Sequence, residues 1–381
     1  MKQINISRKT LKKLKYGIVI VLVGFIIFGA FFLSARSVGN VAVSGVTDSF
    51  RRVFSSTSTG GYPHALENLN VREIKGIGDD VFVLYNDSAF VLTPRAKQLP
   101  VVQLDSADTR VEIRSGRALV YDRSRGYVCL MSESEKLGET TLESRIYNVA
   151  LANNGTSAIV TGNEEGYLSM VKVYNTRLEN TYYWGCASER IADVDFFDGG
   201  SKLAVLVVGV DNAELYSRIL VFDTRDDEHH EETREDGTMF MQIRCTSSGK
   251  IIAAGDNKLC VYDSKCEVVN SVEYSEDLFS GVDFDDKGNA VVFLSEYGGT
   301  QTDIIRCTAS GKIKFRVTLA GNATSVHIDG RKTVVQCGRE ITVLNGGGDA
   351  TDAFELNSIP ESIVCSKGKV YSLEDYSIIK Y

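Results

Sequence analysis

The sequence predicts an all-β fold, a β-propeller of four-stranded blades closed by an N-terminal strand and preceded by one transmembrane helix. Three observations lead to this fold class. The 381 residues include 34 Gly but only 4 Pro, which favours short strands joined by tight turns. Units of about 40 residues repeat along most of the chain, as in propeller blades. One long apolar run lies near the N-terminus.

The apolar run predicts a membrane helix. Gly17 to Leu33 are 17 consecutive uncharged residues, close to the minimum length for spanning a bilayer. The residues before this run include six basic and no acidic side chains, so the positive-inside rule keeps the N-terminus in the cytoplasm. A cleaved signal peptide is the alternative.

These features divide the chain into four parts. We expect a basic cytoplasmic tail at 1–15, a transmembrane helix at 16–34, a flexible linker at 35–61 and an extracytoplasmic propeller at 62–381. The protein would then be a single-pass component of the cell membrane, with its C-terminal propeller outside the cytoplasm.

The charge of the chain argues against a nucleic-acid partner. Without the six basic residues of the tail, 36 Lys and Arg remain against 50 Asp and Glu, a formal balance of −14. Such a surface repels phosphate backbones.

Eight cysteines are dispersed along the chain. An even number suggests disulfides in an exported protein, but their positions within apolar strand patterns favour small buried side chains. Cys260 and Cys266 flank one predicted turn, and a disulfide between them stays open. Because no CxxC pair occurs, nothing indicates a zinc site, and we expect no metal or cofactor.

The repeat is clearest in FMQIRCTSSGKIIAAGDNKLCVYDSKCEVVNSVEY, residues 240–274. Each unit offers four strand candidates, and units begin near residues 72, 108, 147, 190, 239, 279, 322 and 361. The second strand of each unit is nearly all apolar, as expected for a strand buried between two neighbouring blades. We predict eight blades, or seven if one unit is partial.

The last unit contains only three strands, at Ser362–Cys365, Lys369–Glu374 and Tyr376–Tyr381. Ending there would leave an unpaired sheet edge. Tyr62–Leu69 lies just before the first unit, and we predict that it supplies the fourth strand and closes the ring.

Three stretches carry a family resemblance: GRALVYDRSRGY (116–127), SAIVTGNEEGYLSMVKVYN (157–175) and YYWGCASERIADVDFFDGGSKLAVLVVGVDNAELYSRILVFDT (182–224). They resemble an uncharacterised family of bacterial single-pass membrane-anchored propellers, domain-of-unknown-function family 5711. The resemblance spans most of residues 15–381 and implies an extracytoplasmic propeller without an established activity. More distantly, the units are similar to quinoprotein-like and WD-type propellers, although the GH and WD dipeptides of the latter are absent.

Aromatic residues at the end of the third unit form one candidate binding site. Tyr182, Tyr183 and Trp184 are consecutive, and exposed aromatic side chains often anchor partners. Packing of Trp184 across a seam between blades is the alternative.

Predicted first strands carry a second group of candidates. His327, Asp193 and Asp283 would face the central channel, together with Asp195 and Asp285, where paired carboxylates could bind ligands or do acid–base work. Capping of the following turns is the alternative for the Asp residues.

The acidic segment DTRDDEHHEETREDGT, residues 223–238, permits two interpretations. Carboxylates and the adjacent His229 and His230 suggest a cation site. A hydrated loop is favoured instead, because adjacent side chains of an extended chain point to opposite sides.

These features predict a membrane-tethered binding or scaffolding module for a protein or cell-envelope component. No GxSxG, HExxH or phosphate-binding glycine loop occurs, and only four histidines are present, so an enzyme is the less favoured reading. The alternatives are a surface enzyme that acts on a glycan or similar substrate at the channel mouth, and a sensor that signals through a partner in the membrane.

Overall fold

The computed structural model describes residues 61–66, 70–106, 108–197, 199–225, 230–274, 278–296 and 298–381. The predicted tail, transmembrane helix and nearly all of the predicted linker lie outside these residues. Within the described ranges, no helix is long and apolar enough to cross a bilayer.

The described chain forms eight four-stranded antiparallel sheets, the blades of a propeller, as the repeat predicted. β1 (His64–Ala65) belongs to the last blade. Blades 1 to 4 comprise, from the channel outward, β2 (Val71–Ile77), β3 (Asp80–Tyr85), β4 (Ser88–Leu92), β5 (Val102–Gln103); β6 (Thr109–Arg114), β7 (Arg117–Asp122), β8 (Tyr127–Met131), β9 (Lys136–Thr141); β10 (Ile146–Leu151), β11 (Ser157–Glu164), β12 (Tyr167–Tyr174), β13 (Asn180–Cys186); and β14 (Arg190–Phe196), β15 (Lys202–Asp211), β16 (Glu214–Asp223), β17 (His230–Asp236).

The second half of the ring repeats this arrangement. Blades 5 to 8 comprise β18 (Phe240–Cys245), β19 (Ile251–Gly255), β20 (Lys258–Tyr262), β21 (Val268–Glu273); β22 (Phe279–Phe284), β23 (Ala290–Leu294), β24 (Gln301–Cys307), β25 (Ile313–Ala320); β26 (Ser325–Asp329), β27 (Lys332–Cys337), β28 (Glu340–Leu344), β29 (Ala350–Glu355); and β30 (Ser362–Ser366), β31 (Lys369–Glu374), β32 (Ser377–Lys380), with β1 outermost.

The two faces of the ring differ in which loops they carry. First strands of neighbouring blades contact each other, so they surround the central channel. We call the four strands of a blade a to d from the channel outward. The ab face carries the a–b turns and c–d connections, and the bc face carries the b–c turns and the d–a connections to the next blade.

The N-terminal strand closes the ring, which confirms the prediction, although the strand covers two residues. His64 lies opposite Ile378 and Ala65 opposite Ser377 in the β1–β32 ladder. The Leu66 amide donates to the Tyr376 carbonyl at 2.9 Å. The last blade is therefore built from both ends of the propeller sequence, and its c strand is not left as an open edge.

Apolar side chains fill the seams between blades. Eight clusters of buried residues occur in the described chain, each shared by two successive blades. All residues of β3, β19 and β23 are buried, because each second strand contacts a neighbouring blade on both of its faces. The core is thus a ring of seams.

The cysteines serve as packing residues and none forms a disulfide. Cys260 and Cys266 do not pair: the Cys260 thiol lies 3.5 Å from the Ser271 hydroxyl, and the Cys266 thiol lies 3.8 Å from the Ile219 carbonyl. Six of the eight are buried and the other two are partly buried. Burial raises the pKa of Cys266 to about 12, which keeps this thiol protonated.

Replacement of Leu66 tests the closure. Leu66 is buried in the seam between blades 8 and 1, so Leu66→Ala should lower the free energy of unfolding by about 2–4 kcal/mol through cavity formation. Urea unfolding of the full chain measures the loss, and amide exchange in β32 should accelerate. Val101→Ala, at an exposed position, should change stability by no more than about 0.5 kcal/mol. Equal losses in the two variants would contradict a special role for the closure.

Candidate functional site

Charged and polar side chains from the first strands line the channel. Among the residues that the structure describes, a cavity of about 620 Å³ lies toward the ab face and another of about 340 Å³ toward the bc face. We call them the ab cavity and the bc cavity. Asp283 and His327 line the ab cavity, and Asp193 lines the bc cavity, so the structure places all three predicted residues at the channel but in two different groups.

Three of the channel carboxylates bind the backbone of the next blade. Asp193 accepts the Ile243 amide at 2.8 Å, Asp195 the Cys245 amide at 2.7 Å, and Asp283 the Ile328 amide at 2.9 Å. Because a first strand is the inner edge of its sheet, such amides have no partner within the sheet. Turn capping therefore does not explain these three residues.

Asp285 does cap its own turn, as the turn interpretation predicted. It accepts the amides of Lys287 and Asn289 at 2.9 and 2.8 Å. The first-strand carboxylates thus have two structural uses, which depend on whether the side chain lies within the strand or at its end.

Asp193 and Asp195 lie two residues apart in very different electrostatic surroundings. Asp195 forms a buried ion pair with Arg114 of blade 2. Burial raises the pKa of Asp193 to about 7, the Ile243 amide opposes this rise, and the charge of Asp195 adds to it. Asp193 therefore titrates near neutral pH.

His327 and Asp283 form a loose pair at the ab cavity. Nδ1 of His327 lies 3.9 Å from Oδ2 of Asp283. Burial lowers the pKa of the imidazole, and burial raises the pKa of the Asp283 carboxyl. The shifts are those of a potential acid–base pair, yet Asp283 also has the interblade role described above.

The three consecutive aromatic residues do not share one surface. Tyr182 is buried, and Trp184 packs on Phe222 of blade 4 with ring centroids 5.1 Å apart. Tyr183 is 59% exposed. Packing across the seam, the alternative for Trp184, is therefore observed, and only Tyr183 keeps the exposure that a binding anchor needs.

The acidic segment is described only in part, because residues 226–229 lie outside the described chain. Within the residues that the structure describes, no group of three or more His, Cys, Asp or Glu could hold a metal ion. Arg234 binds Asp211 at 3.1 Å and Asp236 at 2.7 Å. Residues 230–236 form β17, a strand that supports the neighbouring hairpin, so the hydrated-loop interpretation is wrong for this part of the segment.

A long hairpin of blade 4 is the feature that sequence reasoning missed. β15 and β16 have 10 residues each, whereas β19 and β20 of blade 5 have 5 each. Asn212 and Ala213 form the turn with positive φ values of 49° and 70°, as in a type I′ turn. The hairpin therefore projects from the bc face beyond the neighbouring blade.

The projecting end exposes an apolar surface. Val210 lies opposite Leu215, and they are 65% and 49% exposed. Alternation along the strands puts them on the same hairpin face as Leu206 and Ile219, which are buried against blade 5. Met239 is also exposed, in the loop that Ser217 holds through bonds to Thr238 and Phe240. We call Val210, Leu215 and Met239 the hairpin patch.

The opposite face of the hairpin is held by a polar network. The Tyr216 hydroxyl and the Arg218 guanidinium donate to Glu189 at 3.0 and 2.7 Å, and the Arg234 guanidinium lies 3.8 Å from the Tyr216 ring centre. A Cβ at Gly209 would lie 2.5 Å from this ring, so Gly allows the ring to lie across the strand. These contacts hold the patch in one position.

A pH dependence of stability should follow from Asp193. Because its folded pKa of about 7 lies above the unfolded value near ~3.9, the folded protein holds an extra proton between these values. The stabilisation is complete below pH ~4 and is lost as pH rises through ~7. From pH 5 to 8, wild type should lose about 2–3 kcal/mol of unfolding free energy relative to Asp193→Asn.

Urea unfolding at both pH values measures this difference. Asp352→Asn, which replaces an exposed carboxylate on β29, is the control and should run parallel to wild type. A wild-type protein that gains stability relative to Asp193→Asn as pH rises would contradict the shift.

Solved structures share this fold at low sequence identity. Sqt1 of Saccharomyces cerevisiae has a TM-score of 0.61 and 12% identity, covering 85% of this chain and 100% of its own. The C-terminal WD40 domain of Sif2 has a TM-score of 0.61 and 10% identity, covering 84% and 99%. BamB of Moraxella catarrhalis has a TM-score of 0.53 and 12% identity, covering 81% and 95%. These likenesses show the fold alone.

A search of curated proteins found no match. The model of a family of unknown function, DUF5711, matches residues 61–380, which is the whole propeller. On this match, the chain belongs to the DUF5711 family.

Proposed function

We propose that this protein is a membrane-tethered, extracytoplasmic binding or scaffolding module whose working surface is the hairpin patch. The observation that carries the proposal is the exposed apolar pair at the end of a rigid, projecting hairpin. The apolar run at 17–33 and the basic residues before it support the tether and its orientation.

The patch has the properties of a preorganised anchor. Val210 and Leu215 are not buried by the described chain, because blade 5 is too short to cover them. The network around Glu189 fixes the hairpin, so that a partner would lose little conformational entropy on binding. Apolar side chains at the centre of an interface commonly supply most of its binding energy.

The charges around the patch indicate the chemistry of the partner. Asp211, Glu214 and Asp236 are exposed near the hairpin end, and Arg234 is already paired with two of them. The rim is therefore net acidic. A protein segment with an apolar side chain flanked by Lys or Arg would complement both the patch and its rim.

The position of the closing strand favours access to this face. β1 runs from the ab face toward the bc face, so residue 61 lies at the ab end of blade 8. A membrane anchor that precedes residue 61 would join the propeller at the ab face. The hairpin patch lies on the other face, where a partner would meet it without competing with the tether.

An enzyme that acts on a glycan or similar substrate at the channel mouth is the second candidate. The His327–Asp283 pair at the ab cavity favours this candidate. Burial lowers the pKa of His327 and raises the pKa of Asp283, so both side chains are shifted toward their neutral forms. It ranks second because Asp283 already has a structural partner in the Ile328 amide.

Site-specific crosslinking in native membranes tests the proposal. A photoreactive residue at Leu215 of the full-length protein should yield one dominant adduct with a cell-envelope protein. Because L215D occupies that position, the photoreactive residue is then placed at Met239. The combined change V210D and L215D should reduce the adduct formed from Met239 at least about tenfold, since it places charge at the centre of the contact.

Val268 supplies the matched control, because it is 56% exposed on β21 outside the patch. A photoreactive residue there should give no such adduct, and V268D should leave the Met239 adduct unchanged. Equal adducts at both positions, or a Met239 adduct that survives V210D and L215D, would overturn the assignment of the patch. Labelling of the propeller by a membrane-impermeant reagent in intact cells would test its location separately.

A further inference from the structure

The bc cavity contains a pair of opposite charges that make no hydrogen bond to the described residues. Its lining includes Arg244 from blade 5 and Glu112 from blade 2, which lie on different sides of the channel. Both side chains are partly buried. Its volume of about 340 Å³ is at the lower end of the range for small-molecule sites.

Arg244 lines this cavity, and its guanidinium makes no hydrogen bond to the described residues. Its Nε is buried without a hydrogen-bond partner among the described residues, and its guanidinium carbon lies 5.8 Å from the centre of the Phe284 ring. Burial lowers the pKa of the Arg244 guanidinium, but the negative charges of Asp195, Glu112 and Asp193 raise it by more. The net pKa is therefore raised, and the guanidinium stays charged. A planar guanidinium with open donors matches a carboxylate through two parallel hydrogen bonds.

The carboxylates nearest to Arg244 are already satisfied by other donors. Asp193 accepts the Ile243 amide and the Asn148 side chain, and Asp195 accepts the Cys245 amide and Arg114. They therefore hold the guanidinium by charge and leave its hydrogen bonds open. Within the described chain, no direct ion pair joins Arg244 to any of them.

Glu112 is the complementary group. Its carboxylate accepts no hydrogen bond from the residues that the structure describes, yet its charge acts on both Arg244 and Lys75. An ammonium group is the natural donor for such a carboxylate in a cavity of this size. Tyr147 and Met241 also line the cavity and are exposed, which adds apolar surface at its bc end.

We propose that the bc cavity binds a free zwitterionic α-amino acid, with the carboxylate on the Arg244 guanidinium and the ammonium on Glu112. A molecule with both charges neutralises each unsatisfied side chain at once, whereas a simple anion would face the surrounding carboxylates. The apolar surface of Tyr147 and Met241 favours an amino acid with an apolar side chain. This inference does not rest on the proposed function, because it concerns another surface.

Calorimetry and thermal unfolding of the full-length protein in nanodiscs test the proposal. The probes are the twenty free amino acids, together with N-acetyl amino acids that lack the ammonium and alkylamines that lack the carboxylate. We expect at least one apolar amino acid to bind and raise Tm, and both classes of analogue to bind at least tenfold more weakly. No binding of any amino acid below 10 mM, or equal binding of the analogues, would overturn the proposal.

Two substitutions assign the roles. R244Q and E112Q should each weaken amino-acid binding at least tenfold, while R110Q and E267Q, at exposed positions outside the cavity, should have no effect. E112Q should also abolish the preference for the free amino acid over its N-acetyl form, an effect that a merely structural role would not produce. If R244Q fails to fold, this loss of preference in E112Q decides the matter alone. Binding that E112Q leaves unchanged would refute the assignment.

Discussion

The apolar seam between neighbouring blades is the interaction on which the rest of this structure depends. Each second strand is buried on both faces, and a residue such as Val205 packs toward blade 3 while Leu206 packs toward blade 5. No blade can satisfy these strands alone, so every blade needs two neighbours and the ring has to close. The two-residue strand β1 is short, but its closure joins the first seam to the last.

The same dependence explains the hairpin patch. A seam can cover apolar side chains only as far as the shorter of its two blades extends, and blade 4 extends beyond blade 5. The alternation that buries Leu206 continues outward to Val210 without a change of face. The apolar alternation of the hairpin thus extends past the end of blade 5. The polar network around Glu189 holds the opposite face of the hairpin. The difference in strand length between blades 4 and 5 therefore decides which apolar residues of the hairpin are buried and which are exposed.

The sequence predicted features that repeat in every unit. The repeated units with their apolar second strands predicted eight blades, with seven as the alternative, and the starting positions of the blades, because the seam imposes the same requirement on each unit. The closing strand followed from the last unit, whose three strands would leave an open sheet edge. The exposure of Val210 was missed, since it depends on the difference between two blades. A sign was present in KLAVLVVGVDNAELYSRILVFD, residues 202–223, which is longer than the corresponding stretch of blade 5. The roles of Asp193 and Asp283 were missed for a related reason, because their partners are amides about fifty residues away.

The edge strands explain why the channel is charged and also which charges are unusual. A first strand has no sheet neighbour on its channel side, so donors such as the Ile243 and Cys245 amides need acceptors from another blade. Asp193 and Asp195 meet this need, and the low effective dielectric of the channel wall strengthens the bonds. Arg244 compensates the accumulated negative charge without bonding to it. Glu112 accepts no hydrogen bond from an edge-strand amide among the described residues. The need to pair edge amides, which explains Asp193 and Asp195, therefore does not explain Glu112. That difference separates the residues that hold the ring together from those that are open to a ligand.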